Sequence, residues 1–320
     1  MAFHPSRRPL TPQAGSLTSV GLGCAPIGNL YTPVHEADAD ATVDAALDRG
    51  IRFFDTAPHY GAGVSELRLG RAIAGVDRDR LVIATKVGRQ IVDADGVAVG
   101  SGGTGADTIG DLSRDGVLRS LEGSLARLGT DRIDLLYLHD PVDVDEALRG
   151  AWPALEELRA AGVVRSIGVG MVRNAPLTRF VLEASPDVVM VAGRLTLLDR
   201  TAEQELLPAA REQGVDIIAA GVYNSGILAN PMAAPYFDYH AASPELIARA
   251  TAIEAVCDSF GVALPHVAAR FPLRRHAVEA VVVGARTSAE VHDLVAGAAA
   301  VIPDELWSAI DAIDTVDTVE

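Results

Sequence analysis

IRFFDTAPHYG, residues 51 to 61, runs four residues suited to a buried strand straight into an aspartate and places a tyrosine five positions later. The apolar run is continuous, without the apolar/polar alternation of a sheet wetted on one side, so this strand is covered on both faces. Seven other short β-branched runs share that character: VGLGCAPIG (20–28), LVIATKV (81–87), DLLYLHD (134–140), SIGVGM (166–171), DVVMVAGR (187–194), DIIAAGV (216–222) and EAVVVGA (279–285). Helical segments lie between them, among them HEADADATVDAALDRG (35–50) and VLRSLEGSLARLG (117–129), each ending in a glycine suited to a left-handed C-cap.

Eight β-then-α units without a linker rich in proline, serine or charge predict an α/β fold, a (β/α)8 TIM barrel occupying residues 1–320 as a single domain. A dinucleotide-binding domain paired with a substrate domain is the competing architecture. It requires G-x-G-x-x-G turning from the first strand into a helix, but GLGCAPIG (21–28) misplaces the third glycine and no ribose-binding acid follows a second strand. LTPQAGSLTSVG (10–21) reads as a short N-terminal β-hairpin. Residues 87–111 form a long glycine-rich loop after strand 3, on the face where barrel active sites lie, and are a candidate lid.

Forty-three acidic against 27 basic residues give a formal charge of −16, which repels the phosphates of nucleic acids and anionic membrane surfaces. Neither is expected as a partner. Only Cys24 and Cys257 occur, and the amino end shows no export signal, which points to a reducing cytoplasm. Apolar stretches such as AVEAVVVGA (277–285) fall short of the roughly 20 residues that cross a bilayer.

In a barrel, Asp55, Lys86 and His139 stand at the carboxyl ends of three successive strands, and Tyr60 lies in the loop just beyond Asp55. Each alone has an ordinary reading as a turn cap, rim lysine, loop histidine or packing aromatic; their convergence on one mouth is the unusual feature. A lysine against a phenol favours the phenolate, so Tyr60 is expected to titrate below its usual value of about 10, while Asp55 keeps Lys86 charged. This is acid/base equipment without a nucleophile, with His139 available to orient an oxygen. His59, Asp140 and Tyr223 add polar groups suited to a small hydroxylated or aldehyde substrate. His139, Asp140, Asp143 and Asp145 suggest a metal-dependent hydrolase, but no H-x-H pair accompanies them and no metal is expected.

FFDTAPHYGAGVSELRLGRAI (53–73), ATKVGR (84–89), RLGTDRIDLLYLHD (127–140) and VVGARTSAE (282–290) together resemble the aldo-keto reductase superfamily over nearly the whole chain. The resemblance implies that Asp55, Tyr60, Lys86 and His139 are a catalytic tetrad, with Tyr60 exchanging a proton with substrate and His59 and His139 beside it. It also implies a nicotinamide cofactor held at the barrel mouth by Gly23, Met171, Gly221, Tyr223, Ser225, Gly226, Leu228, Gly284, Arg286 and Glu290. CAPIGNLY (24–31), GVGM (168–171), AGRLTLLD (192–199) and GVYNSGIL (221–228) are similar to the branch of aldose 1-dehydrogenases acting on L-fucose, L-galactose and D-arabinose, which pyridoxal 4-dehydrogenases also resemble.

Several positions depart from the family pattern. Gly170 and Met171 replace the serine–asparagine pair that holds the carboxamide, Ala192 replaces a glutamine, Ala220 or Gly221 a stacking tyrosine, and Leu294 an asparagine. Glu290 stands where NADP-preferring relatives place an arginine, so NAD is preferred over NADP. The expected activity is NAD-dependent oxidation of an aldose hemiacetal carbon to a lactone. The alternatives are pyridoxal oxidation to 4-pyridoxolactone or a non-catalytic regulatory subunit, in either case as a monomer or small homo-oligomer.

Overall fold

Each apolar run forms a strand, and the eight strands close on themselves: β1 (Leu17–Gly23), β2 (Ile51–Asp55), β3 (Val82–Val87), β4 (Ile133–His139), β5 (Val164–Met171), β6 (Val188–Ala192), β7 (Asp216–Ala220) and β8 (Val278–Gly284). The structure is a computed structural model and describes residues 17–30, 32–100 and 106–313. All barrel pairings are parallel between chain neighbours, and Gly23 of β1 meets both Asp55 of β2 and Gly284 of β8, which closes the ring. Of the predicted hairpin over 10–21, residues 10–16 lie outside the described residues and the rest begins at β1, a barrel strand.

Helices α1 (Glu36–Asp48), α2 (Val64–Ile73) and α3 (Arg114–Leu128) follow the first three strands. Gly50 (φ 87°) and Gly129 (φ 64°) take the left-handed turn that ends α1 and α3. The loop after β3 folds partly into a hairpin of Arg89–Val92 against Asp107–Gly110. A second small hairpin, Tyr236–Phe237 with His240–Ala241, follows β7 and has no counterpart in the sequence reading.

Two buried apolar layers result. The larger lies between strands and helices; the smaller fills the barrel lumen with Phe53, Ala84, Tyr137, Met190, Ile218 and Val282 among its members. Strand side chains alternate with period two. Two residues beyond Phe53, Ala84 and Tyr137 stand Asp55, Lys86 and His139, which the same alternation aims at the top of the lumen. Position on the strand therefore sets the site: three consecutive strands each carry apolar side chains deep in the barrel and one polar side chain at its mouth.

Beneath the mouth, fully buried Glu66 of α2 accepts from Thr85 Oγ1 at 2.6 Å and from Arg127 Nε at 2.7 Å. Arg127 also donates to the carbonyl of Gly100, tying α3 to the loop after β3. This charge pair is desolvated but every partner is hydrogen-bonded, the condition under which buried ions are tolerated.

Candidate active site

Tyr60 reaches the mouth because the loop after β2 is pinned at both ends. Thr56 Oγ1 and Ser65 Oγ are 2.8 Å apart, Ser65 Oγ donates to the Cys24 carbonyl at 2.8 Å, and the amide of Ser65 donates to the Tyr60 carbonyl at 3.2 Å. Gly61 turns the chain with φ 65°, and a side chain there would run into the Gly28 carbonyl, so this turn is reserved for glycine.

Lys86 Nζ is the hub. It donates to Asp55 Oδ1 and Oδ2 at 3.0 and 2.8 Å, to the Thr56 carbonyl at 2.9 Å and to Tyr60 Oη at 3.2 Å. An ammonium only donates, so Tyr60 Oη accepts from it and its own hydrogen remains for a group in the cleft. Asp55 and Lys86 are 3% and 2% exposed, which makes this a desolvated ion pair. The His139 ring meets the Tyr60 ring edge-on, centroids 5.8 Å apart at 86°, and the His59 ring at 5.8 Å and 74°. His59 Nδ1 lies 2.6 Å from Thr108 Oγ1, which links the site to the loop after β3.

Burial disfavours the Lys86 ammonium, but the Asp55 carboxylate and the Tyr60 hydroxyl outweigh it and hold the lysine above its ordinary range. Burial pushes Asp55 up, opposed by Lys86. The expected lowering of Tyr60 is not what the site produces. Burial raises the phenol above its ordinary value; Lys86 acts in the expected direction but is outweighed, and the Asp55 charge adds to the rise. His139 is held well below the usual histidine value by burial first and by Lys86 next. At neutral pH the site therefore presents a phenol, a neutral imidazole and a lysine–aspartate ion pair. A phenol that Lys86 holds by its oxygen, beside a neutral imidazole, can hand a proton to or take one from a single substrate oxygen.

The remaining acids near His139 are otherwise engaged. Asp143 caps the helix Val144–Arg149 through the Glu146 amide at 2.9 Å, and Asp145 pairs with Arg179. Among the described residues no group of three His, Cys, Asp or Glu side chains is arranged to hold a metal ion.

The predicted cofactor residues lie at the strand ends and in the segments that follow β7 and β8. Gly23 and Gly284 pair side by side at the closing seam. Met171 is 2% exposed and packs into the layer outside the barrel, so its side chain is turned from the mouth and only its backbone faces it. The lumen-facing position is Gly170, opposite His139, where a side chain would stand in ordinary contact with Met190 and Lys86. Gly221 (φ 62°), Ser225 (φ 63°) and Gly226 (φ 120°) twist the loop after β7, where Ser225 Oγ accepts from the Tyr239 amide and Leu228 is buried in the core. Tyr223 is partly buried against the main core, and burial first, then the carboxylates of Asp293 and Glu290, raise its hydroxyl. After β8, Glu290 accepts from the Arg286 amide at 2.7 Å and from its guanidinium at 3.1 Å.

The fold agrees with the comparisons. A model of the Aldo/keto reductase family matches residues 19–315. The chain belongs to this family. As an aldo-keto reductase it is an oxidoreductase acting on CH–OH groups with a nicotinamide cofactor. It is 42% identical to a D-threo-aldose 1-dehydrogenase of a Pseudomonas species, over 95% of this chain and 96% of that protein. It is 39% identical to the pyridoxal 4-dehydrogenase of Microbacterium luteolum, over 92% and 93%. The holo form of an aldo-keto reductase from Bacillus halodurans superposes with a TM-score of 0.77 at 25% identity, covering 98% of this chain and 99% of that one.

The residues present fit such a cofactor. Asn224, 2% exposed, donates to the Gly193 carbonyl at 3.0 Å, yet its Oδ1 is a buried acceptor without a partner in a loop opened by Gly193, Gly221 and Gly226. A donor such as an amide would complete it. Asn224 lies inside GVYNSGIL, where only its backbone environment, set by folding, distinguishes it from an ordinary loop asparagine. Arg89, within ATKVGR, is likewise set apart only by the surroundings that folding gives it.

Proposed function

We infer that this aldo-keto reductase oxidises the hemiacetal carbon of an aldose such as L-fucose, L-galactose or D-arabinose to a lactone with NAD. The bound cofactor supplies a nicotinamide ring that accepts a hydride. The substrate hydroxyl gives its proton to Tyr60 Oη as the carbon gives up that hydride, so the C–O single bond becomes the lactone carbonyl. Lys86 stabilises the phenolate form, Asp55 keeps Lys86 charged, and neutral His139 donates from one ring nitrogen to the substrate oxygen and fixes its position. The observation that carries this reading is the Lys86–Tyr60 contact with His139 edge-on to the same phenol. The relative at 42% identity, named for aldose oxidation, supports the substrate class. Pyridoxal is the second reading, favoured by the relative at 39% identity and by equivalent chemistry at its internal hemiacetal.

Gly23, Gly221, Ser225, Gly226, the backbone of Met171 and Leu228, and Gly284 would line the cofactor, with Asn224 added from its unpaired oxygen. Arg286, Tyr223 and Glu290 would face the adenosine end. Glu290 neutralises Arg286 and presents a carboxylate where a 2′-phosphate would sit, which favours NAD. Two like charges about 4 Å apart in water cost about 1 kcal/mol, so Glu290→Gln should shift the NADP/NAD preference about fivefold toward NADP. The test is NADH and NADPH formation, followed by absorbance, with both cofactors against the three aldoses and pyridoxal. Turnover of an aldose with NAD supports the reading; absence of turnover with every pair contradicts it.

A further inference from the structure

A cavity of about 570 Å³ opens beside His139, on the side formed by the loop after β3 and the loop after β4. Arg89, Asp140 and Arg149 line it together with the carboxylates of Asp111, Asp143 and Glu146. Two of these groups bear on the reacting centre, Asp140 at 3.8 Å from His139 Nε2 and Arg89 through its charge at both site histidines. Arg89 is half-buried, and among the described residues its guanidinium makes no ion pair and no side-chain hydrogen bond. Its charge is nevertheless felt at His59, His139 and Asp140. Asp140 follows His139 directly and is held with φ 43°, a left-handed conformation that costs a non-glycine residue of order 1 kcal/mol and is tolerated best by Asp and Asn. Among the described residues its carboxylate accepts one long bond, from the Val172 amide at 3.3 Å, and its other oxygen lies 3.8 Å from His139 Nε2.

A cation and an anion thus line one cavity next to the reacting centre without closing on each other. Opposite charges that share a half-buried cavity ordinarily pair. Here the strand hairpin fixes one and the strained turn the other, so the gap between them is built in. His139 Nδ1, in a side chain only 8% exposed, is a further buried polar atom without a partner at the same wall. A guanidinium donates and a carboxylate accepts. Neighbouring hydroxyls on one ring offer both an acceptor and a donor. The lining holds four carboxylates against two guanidinium groups, which disfavours a phosphate or carboxylate on the ligand.

Resting on the dehydrogenase reading above, we propose that Arg89 and Asp140 are substrate-binding residues that read a vicinal diol of an uncharged aldose, Arg89 donating to one hydroxyl and Asp140 accepting from its neighbour. They select the substrate and orient its ring with the hemiacetal carbon toward Tyr60. The loop after β3 thereby contributes to specificity through the first residue of its hairpin.

The experiment measures kcat and KM with NAD for wild type, Arg89→Met and Asp140→Asn. The substrates are whichever of L-fucose, L-galactose and D-arabinose turns over fastest, and its 2-deoxy analogue. Asparagine keeps the left-handed turn and the bond from Val172, and NAD binding followed by protein fluorescence reports that each variant is folded. In each variant kcat/KM for the aldose falls about tenfold or more, with the loss carried by KM. In at least one variant the deoxy analogue loses much less, because the hydroxyl it lacks is the one read. Unchanged KM in both folded variants overturns the subsite and leaves the dehydrogenase reading standing. Wild-type turnover confined to pyridoxal overturns the diol assignment alone, as does inorganic phosphate competing with the aldose in wild type but not in Arg89→Met. No turnover by wild type with any of these substrates overturns the parent reading.

Discussion

Tyr60→Phe is expected to lower turnover of the best aldose by about 10²–10⁴-fold, the range that positioned proton transfer contributes. The variant deletes one oxygen and leaves the ring, so the edge-on packing against His139 at 5.8 Å is retained. Affinity for NAD should be almost unaffected, because the lost group meets substrate only in the chemical step. The pattern to look for is a fall in kcat with little change in the KM for NAD, measured side by side with wild type. A variant that turns over as fast as wild type would remove Tyr60 from the reaction.

Lys86→Met carries the second large effect and acts on stability as well as rate. Asp55 is 3% exposed and both of its oxygens accept from Lys86. Removing the ammonium strands a buried carboxylate, which typically costs about 3–5 kcal/mol. The urea midpoint should fall accordingly with little change in slope. Turnover should fall at least as far as in Tyr60→Phe, since the phenolate loses the cation that holds its oxygen. Asp55→Asn added to Lys86→Met removes the orphaned charge. Most of the lost stability should return in that double variant while turnover stays low, which separates the structural role of the pair from its chemical one. If the double variant is as unstable as Lys86→Met, the stranded carboxylate is not the cause.

The barrel was legible because its strands are covered on both faces and therefore read as unbroken apolar runs, each followed by helix. The convergence of Asp55, Lys86 and His139 was legible for a related reason: a two-residue period fixes which side chains enter the lumen, and each polar residue lies two beyond a lumen-facing apolar one. What escaped depends on depth and on partners brought from afar. The sign of the Tyr60 shift turns on how far burial outweighs one ammonium, which no local pattern encodes. Met171 faces the outer layer because Gly170 takes the lumen position, a one-residue matter of register. Tyr223 reads as a polar loop group in sequence, but the twisted loop after β7 packs it into the core. Arg89 and Asn224 are ordinary residues in a string of letters. Among the described residues, folding leaves the first without a counter-ion and the second with a buried oxygen that lacks a donor.

The central claim is that Tyr60, held by Lys86 and raised by burial, exchanges the proton, and the pH dependence of kcat/KM in both directions tests it most directly. Oxidation needs the phenolate. Because the phenol is held above its ordinary value of about 10, the phenolate is scarce at neutral pH and grows about tenfold per pH unit. The oxidation profile should therefore rise with slope near one through the neutral and alkaline range. It should show no inflection near about 6.5, since His139 is already neutral there. Reduction of the corresponding carbonyl needs the phenol and should stay flat over the same range. An oxidation profile that does not rise with pH, or one that breaks at the ordinary histidine value, would contradict the account.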